Sequence, residues 1–328
     1  MVRVAINGFG RIGRLVLRAG YGKLDFAAIN DIGDLKESAH LLKYDSVHGK
    51  FSEKIRVEGS ELVVAKTRMR FLSVREPEKL PWKELGIDVV LECTGLFTDR
   101  PGAGKHIVAG AKKVLISAPW KGTEHVTTIV KGVNDDRIKG EFILSCGSCT
   151  TNSLVPVIKV LLERFGIEKG FITTVHSYTN DQQILDLAHK DLRRSRAAAI
   201  NIVPTSTGAA KAVKEVFPEL AGKLDGVAIR VPTPDGSLTD FVAILAREAS
   251  VQEINDSMKQ ACETHLKGVM EYCDEEIVSR DIIGNPHSAI FDSTLTKANG
   301  RLCKVFSWYD NEWGFANRMV ELALKMAE

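Results

Sequence analysis

The chain has no long apolar run: none of its 328 residues lies in a hydrophobic stretch near the ~18 that a membrane helix needs. Net charge is also scarce. Forty-four Lys and Arg against 42 Asp and Glu leave +2, so whole-chain electrostatics do not point to a membrane surface, and nucleic acid is at most a secondary partner. Cysteine is sparse. The six residues at 93, 146, 149, 262, 273 and 303 are too scattered for a disulfide framework. Cys262, Cys273 and Cys303 supply no second C-x-x-C pair, so no metal site is expected. Low-complexity segments and short repeats are missing. Met1–Ile6 runs straight into a strand pattern without the anatomy of a secretory leader, and a cytoplasmic location is expected. What remains is ordinary globular composition, 44% hydrophobic and 26% charged, with length enough for two domains.

The first half alternates strand and helix patterns. Val2–Ile6 is a β-type run, followed by Gly8, Gly10 and Gly13 in the G-x-G-x-x-G spacing around Arg11 and Ile12, and then a helix through Leu15–Ala19. A second strand, Phe26–Ile29, ends at Asn30–Asp31. This is the dinucleotide fingerprint: glycines let the backbone approach a pyrophosphate at the helix start, and the acid accepts from a ribose hydroxyl. A hairpin is expected at Ile55–Ala65. Strands are expected at Ile87–Cys93, Lys113–Ser117, Thr127–Val130 and Phe142–Leu144, with a helix at Gly102–Ala109. Such alternation implies a Rossmann-type doubly wound α/β sheet. Ligands bind beyond the carboxyl ends of its strands, which makes Thr94, Gly95 and Ser117 candidates to line the cofactor.

Ser145–Cys146–Gly147–Ser148–Cys149–Thr150–Thr151–Asn152 sits between the Phe142–Leu144 strand and a helix with Leu154, Val157, Ile158, Leu161, Leu162 and Phe165 on one face. A helix start lowers a thiol pKa and can hold an oxyanion or a phosphate. Pro156 predicts a kink or an irregular first turn. Cys146–Gly147–Ser148–Cys149 resembles the C-G-S-C of papain-like proteases, but Thr150 stands where an aromatic belongs. As a C-x-x-C pair, Cys146 could resolve an oxidised Cys149, or it could be a small core residue at a strand end.

The second half reads as α+β with an antiparallel sheet. Phe171–His176 is a strand ending in a histidine, and a polar segment follows from Ser177 to Asn201. Pro204–Gly208 leads into a helix from Ala209. Strands are expected at Val227–Pro232, Asp240–Leu245 and Lys304–Tyr309, and helices at Val251–Val269 and Trp313–Glu328. The domain boundaries follow: 1–148 for the cofactor and 149–312 for catalysis. A thiol beside a dinucleotide domain suggests addition to an aldehyde, hydride loss to a nicotinamide and a thioester; a base is then needed, and His176 is one candidate among eight histidines.

Several separated motifs carry a more specific resemblance. Ser148–Asn152, Thr173–Gln182, Pro204–Lys211, Leu42–Gly49 and Trp308–Gly314 are similar to those of phosphorylating glyceraldehyde-3-phosphate dehydrogenases, and the likeness covers essentially the whole chain. The resemblance implies NAD as cofactor, Cys149 as nucleophile and His176 as base. It implies that Thr179, Asp181 and Arg230 bind the substrate's phosphate. Ser148, Thr150, Arg194, Thr207 and Gly208 would bind inorganic phosphate, and Asn311 would orient the nicotinamide carboxamide. It also implies a homotetramer with the Ser177–Asn201 segment at its interfaces, and that the helix 313–328 completes the cofactor domain.

The chain departs from that pattern at Ser145–Cys146–Gly147, Ser153, Phe315 and Leu187–Ala188, the last lying where a ribose 2′-phosphate would fit. The related erythrose-4-phosphate dehydrogenase is the alternative enzyme, although the Thr179 region and Thr205–Gly208 favour the triose substrate. RNA bound over the nucleotide groove by Arg193–Arg196 is the alternative of another class.

Overall fold

The structure is a computed structural model describing residues 1–328. The chain divides into two compact units. The first holds Met1–Lys131, Asp135–Gly147 and Ala316–Glu328, and the second Gly132–Asn134 and Ser148–Phe315.

In the first unit β1 (Arg3–Asn7), α1 (Arg11–Gly20) and β2 (Asp25–Asn30) form the opening βαβ element, and α2 (Leu35–Lys43) follows. A small β3–β4 pair (Tyr44–Asp45, Gly49–Lys50) precedes β5 (Ile55–Glu58), β6 (Glu61–Val64) and β7 (Thr67–Leu72). Then come α3 (Trp82–Leu85), β8 (Val89–Glu92), α4 (Arg100–Val108), β9 (Lys113–Ile116), β10 (Thr127–Thr128) and β11 (Ile143–Ser145). Nine strands make one sheet in the order β10-β11-β9-β8-β1-β2-β7-β6-β5. It is parallel from β10 to β7, and β6 and β5 add antiparallel. Val4–Ile6, Val89–Leu91 and Val114–Ile116 are all wholly buried. Continuous apolar runs of this kind are what a parallel sheet covered on both faces requires. Chain order runs outward from β1 to β2 on one side and from β8 to β9 on the other. The topological switch point therefore lies between β1 and β8.

In the second unit α5 (Cys149–Phe165) leads into β12 (Ile167–Ser177), β13 (Val203–Ser206), α6 (Ala209–Val216), β14 (Leu224–Val231) and β15 (Ser237–Leu245). After α7 (Val251–Glu263) come β16 (Met270–Cys273), β17 (Ala289–Asn299) and β18 (Leu302–Tyr309). The chain's last helix, α8 (Trp313–Met326), belongs to the first unit from Ala316 onward. The sheet order is β13-β14-β12-β15-β18-β17-β16. Strict alternation of buried and half-buried residues along β15 shows one covered face, and α5 packs on β15, β17 and β18.

Two sequence expectations change. The sheet is mixed rather than purely antiparallel, since β12–β14 and β16–β17 run parallel. Helix α7 ends at Glu263, six residues short of Val269, because Thr264 leaves the helical region and Gly268 takes φ 76°. Helix α5 runs unbroken through Pro156. The ring removes one bond, while buried Val155, Val157, Ile158 and Leu161 hold the helix across it and Ser148 and Thr151 form a reciprocal capping box.

Candidate active site

The glycine turn of the first unit is built by close backbone approach. Gly8 has φ 91°, and a Cβ there would stand 2.6 Å from the Thr94 backbone nitrogen. A Cβ at Gly13 would stand 2.2 Å from the Gly8 carbonyl oxygen, so α1 rests directly on the turn. Gly10 caps α1 with no side chain, faces open space, and no acid occupies the first turn, where Arg11 and Ile12 lie. The helix start thus presents amides and a partial positive charge, which fits a pyrophosphate. Asp31, just past the end of β2, accepts the Phe9 N–H at 2.6 Å and the Gly33 N–H at 2.7 Å, which holds its carboxylate in place beside the glycine turn. Thr94 and Gly95 follow β8 and Ser117 follows β9, at the carboxyl ends of the strands beside the switch point. These residues fit a dinucleotide. Cys146 is wholly buried just past the end of β11, so it lies in the core of this unit.

In the second unit Cys149 opens α5, and its Sγ lies 3.4 Å from His176 Nε2 at the end of β12. His176 Nδ1 lies 2.7 Å from the Ser177 carbonyl, which only accepts, and 3.1 Å from Arg230 Nη1, which donates to that same carbonyl; the shorter contact puts the proton on Nδ1 and turns the Nε2 lone pair to the thiol. Burial pushes the Cys149 thiol up, to about 11, against Arg230 and the Thr150 hydroxyl and N–H. Burial, then Arg230, pushes His176 down to about 3. The helix start alone argues for a lowered thiol pKa, but here burial outweighs it. Neither group carries its charge alone. Charge appears only when the proton crosses from Sγ to Nε2, as a pair.

Two guanidinium groups sit close by. Arg230 donates to the Ser177 carbonyl at 3.1 Å and to Thr179 Oγ1 at 3.3 Å. Arg194 donates to Thr205 Oγ1 at 2.9 Å and pairs with Asp181. Asp181, a candidate for the substrate's phosphate, is thus the ion-pair partner of Arg194. Gly208 caps α6 without a side-chain bond and faces open space, beside Thr207, whose Oγ1 accepts the Ala209 N–H at 3.2 Å. The Ser148 hydroxyl is engaged in the capping box, and Thr150 Oγ1 bonds Tyr309 Oη at 3.0 Å. Asn311 Oδ1 accepts from Ser237 Oγ at 2.7 Å, and that hydroxyl accepts the Ser177 N–H, so the Asn311 amide is left with its N–H₂ to offer.

The sequence reading missed Tyr309 and Ser237. Buried Tyr309 also bonds Thr174 Oγ1 at 2.7 Å and meets His176 edge-on. It ties the start of α5 to β12, which sets the spacing of thiol and imidazole. It lies inside the Trp308–Gly314 motif, but its partners stand more than a hundred residues away in the chain, so the motif does not reveal its contacts.

A thiol that adds to a carbonyl has use for a dinucleotide only if the adduct is then oxidised, so the two units together define a thiol-dependent aldehyde dehydrogenase. The sequence comparisons agree. Residues 2–100 match the glyceraldehyde 3-phosphate dehydrogenase NAD binding domain, and residues 148–311 match the C-terminal domain of the same enzyme. Glyceraldehyde-3-phosphate dehydrogenase from Mycobacterium tuberculosis is 55% identical over 98% of this chain and 97% of its own. The plasmid-borne glyceraldehyde-3-phosphate dehydrogenase of Cupriavidus necator is 52% identical over 99% of this chain and 98% of its own. The chain belongs to the glyceraldehyde-3-phosphate dehydrogenase family, whose members are NAD-dependent oxidoreductases.

Proposed function

We infer that the chain oxidises glyceraldehyde 3-phosphate with NAD and inorganic phosphate to 1,3-bisphosphoglycerate, in the cytoplasm. The 3.4 Å contact of Cys149 Sγ with the unprotonated Nε2 of His176 carries the reading. His176 takes the thiol proton as Sγ bonds the aldehyde carbon, and returns it to the new alkoxide. Bound NAD supplies the two-electron acceptor. His176 then withdraws the hydroxyl proton as the C–H hydride departs, which leaves a thioester on Cys149. Attack by phosphate oxygen releases the acyl phosphate and restores the thiol. Arg230 and Thr179 hold the substrate's phosphate. Arg194, Thr207, the Gly208 amide, Ser148 and Thr150 receive the attacking one. Asn311 orients the carboxamide of the nicotinamide. Residues 1–148 with 313–328 serve the cofactor, and 149–312 serve the chemistry.

The test is aldehyde oxidation followed at 340 nm with NAD or NADP, with and without phosphate. Turnover should require phosphate. Erythrose 4-phosphate should be the poorer substrate. NAD is expected to give the higher kcat/KM, because Asp31 accepts from a 2′-hydroxyl and repels a 2′-phosphate. The exposed Leu187–Ala188 pair leaves room for some NADP use. A higher kcat/KM with NADP would overturn the role of Asp31.

A homotetramer is part of the reading. Ile184, Leu185, Leu187 and Leu192 of the Ser177–Asn201 segment are all strongly exposed, as is Phe171 on β12, and apolar surface of this kind needs a partner. Native mass measurement should give four chains; a monomer at assay concentration would contradict it. Within the same segment Arg194 and Arg196 are paired to Asp181 and Asp186, which weakens the Arg193–Arg196 run as an RNA-binding surface.

A further inference from the structure

The floor of the first unit's crevice is a buried polar chain that the chemistry above does not use. Asn7 and Glu92 are direct neighbours in the β1–β8 register, the pair of strands that flank the switch point. Asn7 Nδ2 donates to Glu92 Oε2 at 2.6 Å. His106, on α4, lies 3.0 Å from the same oxygen through Nε2. The Thr94 N–H donates to Glu92 Oε1 at 2.8 Å, and the Thr94 hydroxyl donates to that oxygen too. Asn7, Glu92, His106 and Trp82 are all buried, His106 and Trp82 completely.

The direction of every bond in this chain is fixed from its two ends. At one end the Val74 N–H donates to Asn30 Oδ1 at 2.9 Å, while Asn30 Nδ2 donates to the Val74 carbonyl. That sets the Asn30 amide, whose Nδ2 also donates to Asn7 Oδ1 at 2.7 Å. Asn7 must therefore turn its own N–H₂ toward Glu92. At the other end the Trp82 indole, which can only donate, bonds His106 Nδ1 at 2.9 Å. The neutral ring must then carry its proton on Nε2, aimed at Glu92. Four donors converge on one side chain, and only an acceptor-only carboxylate satisfies them all. Glutamine would set its own N–H₂ against at least one of them.

What Glu92 holds is the turn after β8. Thr94 Oγ1, fixed by its bond to Glu92, accepts the Leu96 N–H at 3.0 Å across Gly95, which has φ 70°. The same turn is the surface that Gly8 packs against. We propose that Glu92 is a positioning residue for NAD: tied to Asn7, His106 and Thr94, it preforms the Thr94–Leu96 turn against the glycine turn, so the crevice is ordered before the cofactor enters. The proposal rests on the reading of this unit as the NAD-binding one.

The test uses the full-length protein and isothermal titration with NAD. Glu92→Gln keeps the shape and breaks the donor match, and Kd for NAD is expected to rise about 10- to 100-fold. The KM for NAD should follow while the KM for glyceraldehyde 3-phosphate stays. Trp82→Phe touches neither the turn nor the crevice. It frees the His106 tautomer, and should raise Kd about 3- to 10-fold. Nitrogen NMR of the ligand-free protein should show His106 protonated on Nε2 in wild type and a tautomer mixture in Trp82→Phe. If both variants lose thermal stability yet bind NAD with the wild-type Kd, the chain is only structural and the proposal fails. An Nδ1-protonated His106 in wild type would also overturn it. Wild type that binds no NAD would instead overturn the NAD reading itself.

Discussion

Cys149→Ser is expected to lower turnover by about four orders of magnitude or more, while the protein stays folded. The substitution keeps the size of the side chain and the capping box formed by Ser148 and Thr151, so α5 should keep its start. What it removes is the only nucleophile that the site can ionise. The thiol is already pushed up to about 11 by burial. A hydroxyl, far weaker as an acid than a thiol, would be deprotonated to a negligible extent in the same surroundings. Steady-state kinetics with far-UV circular dichroism checks the result. A serine variant within tenfold of wild type would show that another group attacks the aldehyde.

His176→Asn is expected to cost about 10²–10⁴-fold in kcat, with the KM for NAD little changed. Asparagine keeps a polar group at the end of β12 but cannot receive a proton. Without Nε2 at 3.4 Å the half-buried thiol must ionise alone. Alkylation of Cys149 by iodoacetamide should then slow at neutral pH, and its pH profile should move alkaline, because burial disfavours the thiolate and no imidazole is left to take its proton. The sign follows from the pair: in wild type the imidazole takes the proton, and in the variant only hydroxide can. An unchanged alkylation profile would mean that His176 does not serve as the proton acceptor for the thiol.

Much of this site was legible in the sequence because it is local. Gly8 and Gly13 stand where a Cβ would strike backbone, and Asp31 directly follows the next strand. Cys149 announces itself by standing at a helix start. The rest depends on distant pairings. Nothing around Tyr309 says that its hydroxyl reaches Thr150 and Thr174. Glu92 reads as one polar residue at the end of an apolar strand, and only the fold brings Asn7, His106 and Thr94 to it. Helix α7 was read too long because amphipathic spacing continues past Thr264, where backbone geometry and not hydrophobicity ends the helix. A helix start, which favours the thiolate, is visible in sequence; the desolvation by surrounding side chains that opposes it is not.

The most direct measurement mixes the enzyme with glyceraldehyde 3-phosphate and NAD in phosphate-free buffer, quenches in acid and maps peptides by mass. The expected result is one NADH per active site and a glyceryl-phosphate acyl adduct on Cys149 alone, discharged when phosphate is added. NADH formation without an adduct on Cys149, or an adduct on another residue, would contradict thioester catalysis by this cysteine.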